Sequence, residues 1–171
     1  MCCRLLTIEE LEKPAGLLCD HYAGGCAIYE DRPDACRGFR CIWLKSERLA
    51  PGSRLGPEWR PDRANFMMYT EQDGRRLNVI VDPAHSLAWK REPYYGFLKR
   101  TSSRVTEGHE LLVYVGDRRI VVFPDEDLDL GLVGPEHKVE FGFTERNGRQ
   151  IPCARVFRDL PGGAVADDQG T

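Results

Sequence analysis

The stretch Ala64–Asp82, ANFMMYTEQDGRRLNVIVD, decides how the larger part of this chain folds. Two β-rich runs, 64–70 and 76–82, flank Asp73-Gly74, a dipeptide suited to a turn that needs positive φ, so a β-hairpin is expected. The same pattern recurs twice downstream: Glu110–Val115 and Arg118–Phe123 flank Gly116-Asp117, and Lys138–Thr144 and Gln150–Phe157 flank Asn147-Gly148. Between the first and second hairpins, Pro93 stands where a first helical residue would, and Tyr94, Tyr95, Leu98 and Val105 fall close to a helical spacing that ends near Gly108. Some six strands and one longer helix predict a largely antiparallel sheet domain over 64–159. The ending, GGAVADDQGT, has too little apolar content to pack, so 160–171 is expected to be a disordered tail.

Upstream of this domain the chain changes character. Residues 45–63, KSERLAPGSRLGPEWRPDR, lack a sustained period and read as an extended connector, with Leu, Trp and Pro holding it against the protein surface. Residues 1–44 contain six of the seven cysteines, Cys2, Cys3, Cys19, Cys26, Cys36 and Cys41, whereas even spacing would place about two there. Gly24, Gly25, Pro33 and Gly38 make tight loops of most of this module. Thr7-Ile8-Glu9-Glu10 has the form of a capping box and predicts a short helix stopped by Pro14 and Gly16, and Asp34 is placed to cap one more helical turn leading into Cys36. The fold class expected is therefore α+β: a small loop-rich cysteine module, then a largely antiparallel sheet with one longer helix.

Composition narrows the function. With 24 Lys+Arg against 27 Asp+Glu, interspersed, there is no basic field to hold a nucleic acid. No window approaches the roughly 18 to 20 apolar residues of a membrane span, and the opening MCCRLLTIEELEK lacks a signal-peptide core, so a cytoplasmic location is expected. In that reducing compartment clustered thiols bind metals or act chemically more often than they form disulfides, and an odd count of seven suits disulfides poorly.

The module, CC-x15-C-x6-C-x9-C-x4-C, buries little apolar surface of its own, so metal–thiolate bonds are the expected source of its order. A closed four-thiolate zinc site contributes on the order of 10 to 16 kcal/mol of apparent binding free energy. Arg4, Arg32, Arg37 and Arg40 lie within four residues of a cysteine and are expected to favour thiolates and offset their charge. Six thiols exceed the four of one tetrahedral zinc, so one of Cys2 and Cys3 is expected to stand outside the coordination shell or to serve a second metal. Asp20 and His21 offer a mixed site, although a solvated His is the commoner outcome. An iron–sulfur cluster takes the same thiols, and spacing does not choose between zinc and iron. Cys153 reads as a small hydrophobe in its strand.

Nothing catalytic stands out elsewhere. His85, His109 and His137 are scattered over separate elements, PDEDLDLG (124–131) reads as a solvated turn with an acidic rim, and Tyr94, Tyr95 and Phe97 read as core.

Taken together, CCRLLTIEELEKPAGLLC (2–19) and GGCAIYEDRPDACRGFRCIWL (24–44) resemble the YkgJ-type cysteine-cluster family, bacterial proteins named for a CxxCxxxCC motif and described as zinc- or iron-chelating. The W-x-x-E-P-Y-Y run from Trp89 to Tyr95 is similar to one in many shorter members. The resemblance implies metal chelation by Cys2, Cys3, Cys19, Cys26, Cys36 and Cys41, with no enzymatic role attached. It also puts the motif's opening CxxC just before Met1, so the native start is expected to lie upstream and the metal site here to be incomplete. Some larger relatives are linked to protein lysine methylation, but no G-x-G-x-x-G nucleotide loop is present to support that here.

Overall fold

The computed structural model describes residues 1–134 and 136–158. Its helical segments are α1 (Cys2–Leu5), α2 (Asp34–Gly38), α3 (Ile42–Ser46), α4 (Pro61–Ala64) and the longer α5 (Tyr94–Ser102). Its strands are β1 (Phe66–Glu71), β2 (Arg76–Val81), β3 (Glu110–Val115), β4 (Arg118–Val122), β5 (Asp127–Leu132), β6 (His137–Arg146) and β7 (Arg149–Arg158). The architecture is α+β with a mostly antiparallel set of strands, as the turn dipeptides predict. The tail proposed for 160–171 lies outside the described residues.

Each expected hairpin forms where a residue tolerates positive φ. Asp73 and Gly74, at φ 55° and 90°, join β1 to β2, and Asn147 and Gly148, at 53° and 72°, join β6 to β7. Strands β1 to β5 form one sheet in sequence order, while β6 and β7 make a separate two-stranded ribbon. One pair departs from the antiparallel rule: β2 and β3 run parallel, Val79 beside Val113. Parallel neighbours need a crossover, and the segment that holds α5 supplies it.

Alternation of side chains gives the five-stranded sheet two faces. Phe66, Met68, Leu77, Val79, Val81, Leu111 and Val113 point to one, and α5 closes it with Tyr94 and Leu98, four residues apart on its buried stripe. The connector contributes to this core rather than only lying on the surface. Its Trp59 meets the rings of Tyr94 and Phe97 edge-on at 5.0 and 4.9 Å, and the Tyr94 hydroxyl donates to the Glu58 carbonyl at 2.9 Å. Tyr94 is thus committed to packing, as expected.

Two different structures cover the second face. Over β1 and β2, Met67 and Ile80 pack with Leu5, Phe39, Cys41 and Trp43, so the cysteine module rests directly on the sheet. Over β3 to β5, Leu112, Val121 and Leu128 pack with Val139, Phe141 and Ala154 of the ribbon. Arg4 adds a polar tie, its guanidinium 3.3 Å from the buried carboxylate of Asp82 at the end of β2.

Two local expectations are corrected. The capping-box sequence at Thr7 does not start an α-helix: Glu9–Leu11 form a single 3-10 turn, Glu12 takes φ 48°, and Ile8 and Lys13 close an antiparallel bridge. The acidic run after Phe123 is not a solvated turn throughout, because Asp127–Leu132 is the edge strand β5. Asp127 has only 11% of its side chain exposed and lies 3.0 Å from both Lys90 and Lys99. Burial by itself would raise its pKa, but the bonds from Lys99, Lys90 and Tyr95 outweigh this and hold the carboxyl below its usual 3.8.

Because the folded carboxyl is the stronger acid, its stabilising effect is complete above the unfolded value and fades as pH falls through the folded one. Asp127→Asn is therefore expected to lower stability by about 1–3 kcal/mol at neutral pH. Urea titrations repeated down to acid pH should show the gap to the parent closing below about pH 4. A gap independent of pH would assign the loss to packing instead of charge.

Candidate metal centre

Short local contacts fold the module. The Cys19 amide donates to the Cys3 carbonyl at 2.8 Å and fastens that loop to α1. Gly24, at φ 74°, lets the chain reverse so that Tyr22 and Cys26 form a β-bridge. Pro33 then leads into α2, which carries Cys36, and Cys41 caps α3. Arg37 holds the intervening loop through the carbonyls of Arg32 and Glu30.

These turns bring the six expected thiols together. Cys2, Cys3, Cys19, Cys26, Cys36 and Cys41 all line one cavity of about 500 Å³, between apolar residues such as Leu6, Ile8, Phe39 and Met67. All six are free thiols. Cys41 forms the floor, 5% exposed and packed with Leu5 and Met67, whereas Cys2 stands at the exposed rim. Among the described residues, no group of three or more Cys, His, Asp or Glu side chains is already positioned to hold a metal ion.

The electrostatics follow from this crowding. Burial, then the charge and hydrogen bond of Cys2, push the Cys3 thiol above its ordinary pKa, and Cys19 adds to the shift. Burial does the same at Cys36, followed by Cys2, Cys19, Cys26 and Glu10. Each thiolate makes the next harder to form, and a cation placed among them reverses the sign of that interaction.

The sequence reading missed one cation of the cavity. Lys13 is 6% exposed, and its Nζ donates to the carbonyls of Leu6, Pro14 and Arg4 at 2.5, 2.8 and 3.3 Å. Burial lowers its pKa, against the opposing pull of Cys19, Cys3, Cys2 and Cys36. Two of the arginines expected to act on the thiols are engaged elsewhere: Arg4 pairs with Asp82, and Arg37 binds backbone carbonyls. Arg32 does reach the cavity wall, stacked 3.9 Å from the Tyr29 ring centroid. Asp20 and His21 are exposed and do not line the cavity. Cys153 lies in β7, half-buried.

A six-thiol set without histidine suits thiophilic metals in kind, zinc and iron above hard cations such as Mg²⁺ or Ca²⁺. No helix among the described residues is long and apolar enough to cross a membrane. No family model matches this chain, and no curated protein or solved structure matches it.

Proposed function

We propose that this protein is a metal-binding protein of the YkgJ-type cysteine-cluster family, chelating zinc or iron through Cys2, Cys3, Cys19, Cys26, Cys36 and Cys41. The observation that carries the reading is that six thiols, from separate segments of the first 41 residues, open onto one cavity. The family assignment rests on the quoted residues of 2–44. Bound there, the metal supplies a positive centre that offsets mutual repulsion of the thiolates. The chain's own residues do the rest: Lys13 adds a fixed positive charge beside the thiols, and Phe39 and Met67 keep water from the inner wall.

Elemental analysis of untagged protein isolated under argon tests the proposal. At least one zinc or iron per chain is expected, falling to below about 0.2 in a Cys19→Ser/Cys26→Ser/Cys36→Ser triple variant, which keeps fewer thiols than the four of a tetrahedral site. Less than about 0.2 metal per chain in the parent protein overturns it.

A second reading is an iron–sulfur or redox component of an enzyme system. Two thiols beyond the four of a tetrahedral ion, and a cavity of about 500 Å³, favour a polynuclear centre. Brown protein with broad absorption near roughly 400 nm after anaerobic isolation supports it, and a colourless zinc-loaded sample ends it.

A further inference from the structure

On the other half of the second sheet face, away from the cysteines, a cleft of about 550 Å³ separates the sheet from the ribbon. Its sheet wall includes Leu112, Tyr114 and Arg119, and its ribbon wall Val139, Phe141 and Phe157. Two arginines of the sheet open on it, and they differ in one respect. Arg76 is matched, its Nε 2.5 Å from the Glu110 carboxylate. Arg119 has no carboxylate within ion-pair distance among the described residues; its Nη1 donates to the carbonyls of Gly116 and Arg118 at 2.8 and 3.3 Å. The Tyr114 ring lies 4.4 Å from the guanidinium carbon.

Those contacts fix the guanidinium head while leaving its Nε–Nη2 edge without a hydrogen bond to any described residue. That edge carries two parallel N–H donors at the spacing of a carboxylate's oxygens. Arg119 is also half-buried, a cation taken partly out of water, with Asp117 near enough to favour its charge but not within ion-pair distance.

We propose that this cleft binds a small organic monocarboxylate, its carboxylate bidentate on Arg119 and its hydrocarbon part against Leu112, Val139, Phe141 and Phe157. A cleft of a few hundred Å³ that sets apolar side chains beside a few oriented polar groups is the usual form of a small-molecule site. With Arg119 the lining holds three cations, the others being Arg76 and Lys138, against the carboxylates of Glu110 and Glu140, and the single surplus positive charge matches a monoanion better than a dianion such as phosphate. The site stands independently of the metal reading, since no cysteine lines it.

Titration of the ¹⁵N-labelled protein with 3-phenylpropionate, following the Arg119 Nε–H resonance, tests this. The neutral isostere 3-phenylpropanamide and inorganic phosphate serve as comparison ligands, and Arg119→Lys as the variant that keeps charge but loses the fork. A saturating shift of the Arg119 resonance is expected with the acid, with binding at least about tenfold weaker for the amide and for Arg119→Lys. An unmoved Arg119 resonance, equal binding of acid and amide, unchanged binding in a natively folded Arg119→Lys, or tighter binding of phosphate would each overturn the proposal. Should Arg119→Lys fail to fold, the comparison of acid with amide on the parent protein decides.

Discussion

Trp89→Ala is expected to lower the unfolding free energy by about 3–5 kcal/mol, the range for removing a large aromatic from a filled core. Trp89 lies in the short turn Ala88–Lys90 and is 0% exposed. Its ring meets Tyr95 edge-on at 5.9 Å, and Lys90 Nζ stands 4.9 Å from the ring centroid. It belongs to the buried cluster that joins α5 to β1, β2 and β3, so its removal leaves a cavity inside the packed core. Against a typical domain stability of about 5–15 kcal/mol, this loss brings the chain close to unfolding. Trp89→Phe should cost much less. The indole Nε1 is buried without a hydrogen-bond partner, so phenylalanine removes an uncompensated polar group along with part of the ring. Urea titrations of both variants check the pair: an alanine midpoint close to that of phenylalanine would mean that Trp89 does not fill the core as described.

The parts of this fold that were legible in the sequence are those fixed locally. Asp73-Gly74, Gly116-Asp117 and Asn147-Gly148 announce hairpins because few residue types tolerate their φ values. The α5 stripe of Tyr94 and Leu98 is legible because helical spacing survives in composition. What was missed depends on distant partners. Asp127–Leu132 looks solvated because it is acidic, yet it pairs with β4 as an edge strand, with Lys90 and Lys99 offsetting the charge of Asp127. The capping-box pattern at Thr7 is overridden because the chain turns back after four residues to bridge Ile8 with Lys13. The six thiols were legible as a cluster from spacing, and the cavity they line is formed by the turns at Gly24 and Pro33. The assignment of charge was legible only in part: Arg32 reaches the cavity wall as proximity in sequence suggested, while Lys13, buried beside the thiols, is brought in by a turn whose geometry no short window encodes.

That lysine carries the second large expectation. Lys13→Met keeps the apolar stem and deletes the ammonium, so the carbonyls of Leu6, Pro14 and Arg4 lose their common donor. Hydrogen bonds to charged groups are worth about 1.5–3 kcal/mol each, and the recovered desolvation of the ammonium offsets part of the sum. A net loss of about 2–4 kcal/mol is the expected result. The damage should begin locally: amide exchange at Lys13, whose N–H donates to the Ile8 carbonyl at 3.0 Å, and at Cys19, bound to Cys3 at 2.8 Å, should accelerate before that of β2 and β3. An exposed lysine would tolerate methionine within about 0.5 kcal/mol, so a neutral result would remove Lys13 from the fold of the module. Lys13→Arg provides the contrast, because a planar fork cannot direct its donors at three carbonyls grouped around one ammonium. If arginine is as costly as methionine, the seat is specific to the tetrahedral cation; if arginine restores stability, positive charge alone is what the cysteine module requires at that point.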